Sequence, residues 1–413
     1  MYSFTANFLQ KKFNFDAHYF LKGGFWLSLT QVIVVLAGIV TTSLFAHYMS
    51  ETDYGIYRYL IGLAVLFSSF SLTGLGQSIL QTAAKKYYRF YQETIRLNFL
   101  YSLSITVISV GGALYYLINE NIILSLGCVL IAIFQPIING FQNTQVFLQG
   151  SRRFREATIA QSIKVLVVSV ASIAALFLTE SILILFLVYL SVNSLVNVLF
   201  HLVYRPQNTP QTPPEVSAQY VAYAKNTSIR NIISSVSNRL DTVLIFTQLG
   251  AAELAIYTIA TIIPEQIKGS FKNLASLLLP KYAKHENIEV LKRSVPKRSL
   301  QLFLMLLVVT IIYIIAVPYI YDLLFPKYQS AVLLSQITAL AFPTFILYIP
   351  YSILQSQLHE KELHEITLYS SLFQIITIFG FIFFFGLLGA IIGKLIYRIF
   401  FLAIVYSFFK KLH

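Results

Sequence analysis

Seven basic side chains, Lys164, Arg230, Arg239, Lys268, Lys272, Lys394 and Arg398, and two acidic ones, Asp241 and Glu265, interrupt stretches of sequence that are otherwise strongly apolar. Basic side chains near the end of such a stretch can extend their heads to water, which accounts for Lys164 and Arg230. It serves the others less well. Glu265, Lys268 and Lys272 follow an i, i+3, i+7 spacing, so they line one stripe of a helix just after Pro264, which should kink it. Lys394 and Arg398 are four apart and share a face in the same way. Arg239 and Asp241 lie about 200° apart on a straight helix, so each is expected to meet a neighbouring helix.

Two chemistries follow. Seven bases against two acids leave an interior charge near +5, which in a low dielectric gathers anions and repels organic cations. Arg239, Lys268, Lys272, Lys394 and Arg398 are therefore the candidate anion-binding set. Arginine offers a bidentate fork to an oxyanion and lysine a mobile point charge. Asp241 and Glu265 are the candidates for coupling to an ion, H+ or Na+. A carboxylate in a partly dry site can take up a proton near neutrality, or hold sodium when charged. The competing reading for both is permanent pairing with a neighbouring base.

The elements that carry these residues are set by composition. Of 413 residues, 57% are apolar and 11% charged, and the mean hydropathy is +0.70; a water-soluble domain carries about a quarter charged residues. Apolar blocks long enough to cross a hydrocarbon layer of about 30 Å recur throughout. They predict spans near 24–46, 59–79, 97–117, 122–148, 158–178 and 182–203, then near 229–249, 255–279, 299–319, 331–353, 366–386 and 388–409. The first is too long for a secretory leader and lacks a small-x-small cleavage site, so it is read as retained. Between the sixth and seventh, Arg205 to Lys225 holds Pro206, Pro210, Pro213 and Pro214, which suits a semi-rigid connector. The expected organisation is a six-helix bundle over 1–204, a connector over 205–225 and a second bundle over 226–413. Cys128, the single cysteine, sits in an apolar block and reads as a small buried hydrophobe.

Orientation follows from the loops. Those on the side of the N-terminus hold 21 Lys and Arg residues, including Lys85, Lys86, Arg152, Arg153, Lys292 and Arg293, against Arg58 and Lys327 on the other side. The positive-inside rule then puts both termini in the cytoplasm. The net charge of +13 is on this reading a topology signal, not a nucleic-acid footprint. The exits from spans 1 and 7 share an acid, an isoleucine and a tyrosine at matching places, in Met49-Ser50-Glu51-Thr52-Asp53-Tyr54-Gly55-Ile56-Tyr57 and Leu249-Gly250-Ala251-Ala252-Glu253-Leu254-Ala255-Ile256-Tyr257. With six spans per half, the copies would share one orientation, a parallel repeat.

Other motifs carry less. No loop exceeds about 25 residues, too short for a nucleotide-binding or soluble catalytic domain. Gly386-Leu387-Leu388-Gly389-Ala390-Ile391-Ile392-Gly393-Lys394 has the wrong spacing for a phosphate loop and lacks the Ser or Thr after its lysine. Gly389 and Gly393 read instead as a small-xxx-small helix contact. His359 and His364 are five apart, about 140° around a helix, so they would not share a metal, and a solvated turn is expected there.

Taken together, Gly24-Phe25-Trp26-Leu27-Ser28-Leu29-Thr30-Gln31, Asp53-Tyr54-Gly55-Ile56-Tyr57, Gly74-Leu75-Gly76, Asn238-Arg239-Leu240-Asp241 and Gly386-Leu387-Leu388-Gly389-Ala390 resemble the bacterial polysaccharide exporters. These form the O-antigen flippase family, in the superfamily that also holds multidrug extruders and lipid II flippases. The resemblance covers nearly the whole chain and rests on the order and spacing of motifs that are individually weak. It implies an all-α membrane protein of about 12 transmembrane helices, in two pseudo-symmetric six-helix bundles around a central cavity. Such a protein moves an undecaprenyl-pyrophosphate-linked oligosaccharide across the cytoplasmic (inner) membrane by alternating access, without a cofactor and driven by a cation gradient. Its expected partners are the lipid-linked oligosaccharide, membrane lipids and other glycan-assembly membrane proteins, with no nucleic acid. Twelve spans rather than fourteen favour an O-antigen, capsule or similar repeat unit over a peptidoglycan precursor. A multidrug extruder of the same superfamily, a membrane-embedded glycan polymerase or ligase, and a non-transporting scaffold are the alternatives.

Overall fold

The computed structural model describes residues 17–207, 212–276, 288–356 and 360–411, and among these it contains helices and turns and no strand. The first six expected spans are found as α1 (Ala17–Tyr48), α2 (Glu51–Ser68) with α3 (Leu75–Ala84), α4 (Arg89–Ile118), α5 (Ile122–Phe141) with α6 (Thr144–Gly150), α7 (Phe154–Leu178) and α8 (Ile182–Tyr204). The other six are α9 (Pro214–Gln248), α10 (Ala251–Ser276), α11 (Ile288–Leu324), then α12 (Ala331–Ala339) with α13 (Tyr348–Ser356), and α14 (Glu360–Lys411), which holds two. Eight stretches of the described residues are apolar and long enough to cross a membrane by themselves. The polar α9, the charged α10 and the interrupted α2–α3 are the remaining spans.

Local chemistry explains the boundaries. Ser50 is extended (φ −69°, ψ 157°) and its hydroxyl accepts the Asp53 N–H at 3.1 Å, so α2 starts at Glu51 as an N-capped helix. α9 starts at Pro214, so the second half of the proline-rich connector is helical. Proline is tolerated in a first turn, where its missing N–H would have had no intrahelical partner. α14 is broken at Gly386 (φ 57°, ψ −135°), a conformation open to glycine, and the break separates the last two spans.

The chain divides into two units, Leu29–Val243 and Met1–Ser28 with Leu244–His413. In the first, side chains within the helix packing bond to backbone and to each other. Asn98 Nδ2 donates to Asn139 O (2.7 Å), Asn139 Nδ2 to Ser71 Oγ (3.0 Å), and Gln135 Nε2 to Ser68 Oγ (2.6 Å). In hydrocarbon such polar contacts and close glycine approaches do what the hydrophobic effect does in water. A Cβ on Gly127 would lie 2.3 Å from Leu60 Cδ2. The unit carries bare apolar side chains such as Val107 (72% exposed) and Leu178 (85%), as a membrane-spanning helix surface does.

The second unit repeats the plan. Tyr321 donates to Ile259 O at 2.7 Å and Tyr313 pairs with Ser335 Oγ at 2.7 Å. The two limbs of α14 press together at its glycines: a Cβ on Gly389 would stand 1.9 Å from Phe381 O, and one on Gly393 3.0 Å from Thr377 O. The expected small-xxx-small contact is therefore between consecutive spans. The tyrosines of the expected repeat correspond, Tyr57 being the seventh residue of α2 and Tyr257 the seventh of α10, both buried.

Candidate functional site

α10 carries Pro264 one residue before Glu265. The proline has no N–H to give to the helix ladder, though the helix runs on through it, and the next turn presents Glu265 and Lys268 together. Lys268 Nζ lies 2.8 Å from Glu265 Oε2. From α14, more than a hundred residues later, Arg398 Nη2 donates to Glu265 Oε1 at 2.6 Å and Lys394 Nζ stands 3.5 Å from the same oxygen. One carboxylate is thus shared by three cations. The four-residue spacing of Lys394 and Arg398 puts both on the α14 face turned to α10.

Aromatic rings complete the cluster. Lys394 Nζ donates to the Tyr257 hydroxyl at 3.1 Å and lies 5.5 Å from the centre of that ring. The Arg398 guanidinium sits 5.6 Å from the centre of Phe345, within cation–π range. Arg398 is 5% exposed, and its Nη1 is buried with no hydrogen-bond partner among the described residues. A buried donor left unpaired costs about 1–3 kcal/mol. Among the described residues the cluster sets three cations against one carboxylate and leaves one buried donor ready for an acceptor, a chemistry suited to a polyvalent oxyanion.

Of the anion-binding candidates, Lys268, Lys394 and Arg398 meet around Glu265. Lys272 lies on α10, with its side chain outside the described residues, as His359 is entirely. Arg239 and Asp241 belong to the unit Leu29–Val243. Asp241 is 2% exposed, and its Oδ1 accepts from the Thr242 N–H at 2.7 Å and the Thr242 hydroxyl at 3.3 Å. Arg239 lies near enough to Tyr189 to act on it electrostatically, and so does Arg58. Neither arginine makes a hydrogen bond or ion pair among the described residues. Arg230 donates to Thr227 Oγ1 at 3.2 Å, and Lys164 lines a cavity described below.

Two buried or inward-lying side chains, one in each unit, are not evident from the apolar pattern of the sequence. Arg58 was counted among loop charges, yet it lies two turns into α2. The signal was present: Ser50-Glu51-Thr52-Asp53 is a helix start, and a helix begun there carries Arg58 inward. Tyr257 was noticed as part of a repeat but not as a partner for a lysine 137 residues away.

The helices and their order define an all-α multi-span membrane fold, and solved transporters share it. The chain is similar to MATE in complex with MaD5 (12% identity over 95% of this chain and 94% of that one, TM-score 0.66). It is also similar to the eukaryotic MATE transporter AtDTX14 (13% identity, 96% and 97%, TM-score 0.62) and to a MOP superfamily transporter from Pyrococcus furiosus (12%, 95% and 94%, TM-score 0.61). Curated proteins supply no significant match. Residues 20–284 match the family described as polysaccharide biosynthesis protein, and the chain belongs to that family, a multi-pass membrane protein with the fold of MOP superfamily transporters.

Proposed function

We propose that the protein is a flippase for an undecaprenyl-pyrophosphate-linked oligosaccharide, an O-antigen, capsule or similar repeat unit, working by alternating access in the bacterial inner membrane. The observation that carries this reading is the sharing of Glu265 by Lys268, Lys394 and Arg398, with Arg398 Nη1 left unpaired. A charge inside a membrane span costs about 2.5–3.5 kcal/mol on insertion scales, so three cations gathered on one carboxylate are retained for an anion that visits. The pyrophosphate is that anion. It offers Arg398 a bidentate partner and competes with the Glu265 carboxylate for the same donors, so Glu265 holds the cluster together between visits and speeds release. Asp241 and Glu265 are the carboxylates through which H+ or Na+ would drive the cycle.

A multidrug extruder on this fold is the rival reading, and an organic cation meets repulsion where three cations surround one carboxylate. Among the similar structures, the Pyrococcus furiosus transporter is described as having a binding pocket of reverse polarity that suggests a different function. The bias of basic loops puts both termini in the cytoplasm, where the lipid-linked glycan and other membrane proteins of its assembly are met. The deciding experiment reconstitutes the purified protein in liposomes with an undecaprenyl-pyrophosphate-linked oligosaccharide in one arm and ethidium in the other. Movement of the glycan lipid under a pH or sodium gradient, with loss of the gradient response in Asp241→Asn, is expected. Movement of ethidium alone would refute the reading.

A further inference from the structure

A second polar site lies wholly within the unit Leu29–Val243. α5–α6, α7 and α8 border an open cavity of about 250 Å³ whose polar lining includes Gln142, Asn143, Gln145, Gln161, Lys164 and Asn197. The side chains of Gln142, Asn143, Gln145, Gln161 and Lys164 make no hydrogen bond among the described residues, and Asn143 does not use its amide to cap α6. Asn197 is buried, and its Nδ2 reaches only Ile138 O and Asn193 Oδ1, each at 3.5 Å. Among the described residues, no acid lines the cavity. Lys164 is the eleventh residue of α7, roughly 15 Å along the helix from its start. That depth makes a snorkelling account strained, and the cavity gives its ammonium a place to turn.

Convergent amides in a membrane span are costly unless a ligand uses them, because each side chain carries two donors and an acceptor. Amides suit sugar hydroxyls, which also both donate and accept. One ammonium without a counter-ion adds a requirement for a negative charge. The volume lies below the roughly 300–1,000 Å³ of drug-sized ligand pockets, so it takes one ring and not a chain. Phe200 supplies an apolar face, and with Val146 and Ala160 the only other apolar lining, there is no groove for acyl chains.

We infer that this cavity is a glycan subsite that seats a single acidic sugar, its carboxylate on Lys164 and its hydroxyls on the amides of Gln142, Asn143, Gln145, Gln161 and Asn197. The assignment rests on the reading of the protein as a glycan-lipid transporter and narrows its cargo to repeat units containing a uronic acid or a similarly charged sugar.

The test is binding, not transport, so its outcome is separable from that of the flippase reading. Purified protein in phosphatidylcholine nanodiscs is titrated with methyl glucuronide and methyl glucoside by saturation-transfer difference NMR. The uronide should bind at least ten-fold tighter than the glucoside. Lys164→Gln should remove that preference, Lys164→Arg should keep it, and Arg398→Ala, which alters the other site, should leave it unchanged. Equal binding of the two glycosides, no binding of either, or a preference surviving in Lys164→Gln would overturn the proposal. So would displacement of the uronide when phosphatidylglycerol is added to the nanodiscs, which would make the cavity a lipid headgroup seat.

Discussion

Replacing Glu265 with glutamine keeps the shape of the cluster and removes the charge that three cations share. Two of its contacts, 2.8 Å from Lys268 and 2.6 Å from Arg398, are charge-assisted hydrogen bonds, while Lys394 at 3.5 Å contributes mainly through charge. Such bonds contribute about 1.5–3 kcal/mol each, and breaking a fully buried pair costs about 3–5 kcal/mol. The Glu265 side chain is 34% exposed, so the loss in the unliganded protein should be nearer 2–3 kcal/mol. Inorganic pyrophosphate should then restore more than it restores in the wild type, because no carboxylate competes with it. A ligand at a hundred times its Kd stabilises by about 2.7 kcal/mol. The assay is thermal unfolding of the purified protein over a pyrophosphate titration. Glu265→Gln should melt lower alone, bind pyrophosphate at least ten-fold more tightly and recover most of the loss at saturation. Arg398→Ala should show a smaller pyrophosphate shift than the wild type. Equal pyrophosphate affinities for the wild type and Glu265→Gln would refute the idea that the carboxylate stands in for substrate.

Lys268→Glu and Arg398→Glu should abolish surface glycan export at normal protein abundance, while Lys85→Ala, which loses only a position 5.6 Å from the Tyr220 ring, should leave it intact; quantifying cell-surface polysaccharide against membrane protein level checks both. Gly389→Ala should destabilise, since its Cβ would stand 1.9 Å from Phe381 O, whereas Gly111→Ala, with nothing within 4 Å, should be neutral or stabilising by up to about 1 kcal/mol; detergent melting curves of the two variants give the comparison. Single cysteines at Ser50 and Asn287 on a Cys128→Ser background should label from outside the cell at Ser50 and not at Asn287, and the reverse pattern would invert the orientation.

Much of the architecture was present in the order of residues. Apolar runs separated by short polar breaks predict spans because a bilayer of fixed thickness demands a fixed length of helix, and among the described residues helix is found within every expected span, interrupted near 59–79, 122–148 and 331–353. Even α9, the least apolar of them, is legible, because its length and its place in the series outweigh its serines and asparagines. Gly389 and Gly393 announced a close helix contact, since only residues without bulk permit one. The repeated Ile-Tyr after spans 1 and 7 marked corresponding turns of two related helices. Along one helix, periodicity also shows which residues share a face, so Glu265 with Lys268, and Lys394 with Arg398, could be paired in advance. Periodicity does not say which face of which helix meets another. Only the tertiary structure brings α14 to α10 and sets Lys394 and Arg398 on the carboxylate of Glu265, carries Arg58 two turns into a helix, and gathers the amides of α5–α6, α7 and α8 around Lys164. Those contacts join residues from separate helices, and the choice among possible neighbours is made by the shape of whole helix surfaces, which no local run of sequence contains.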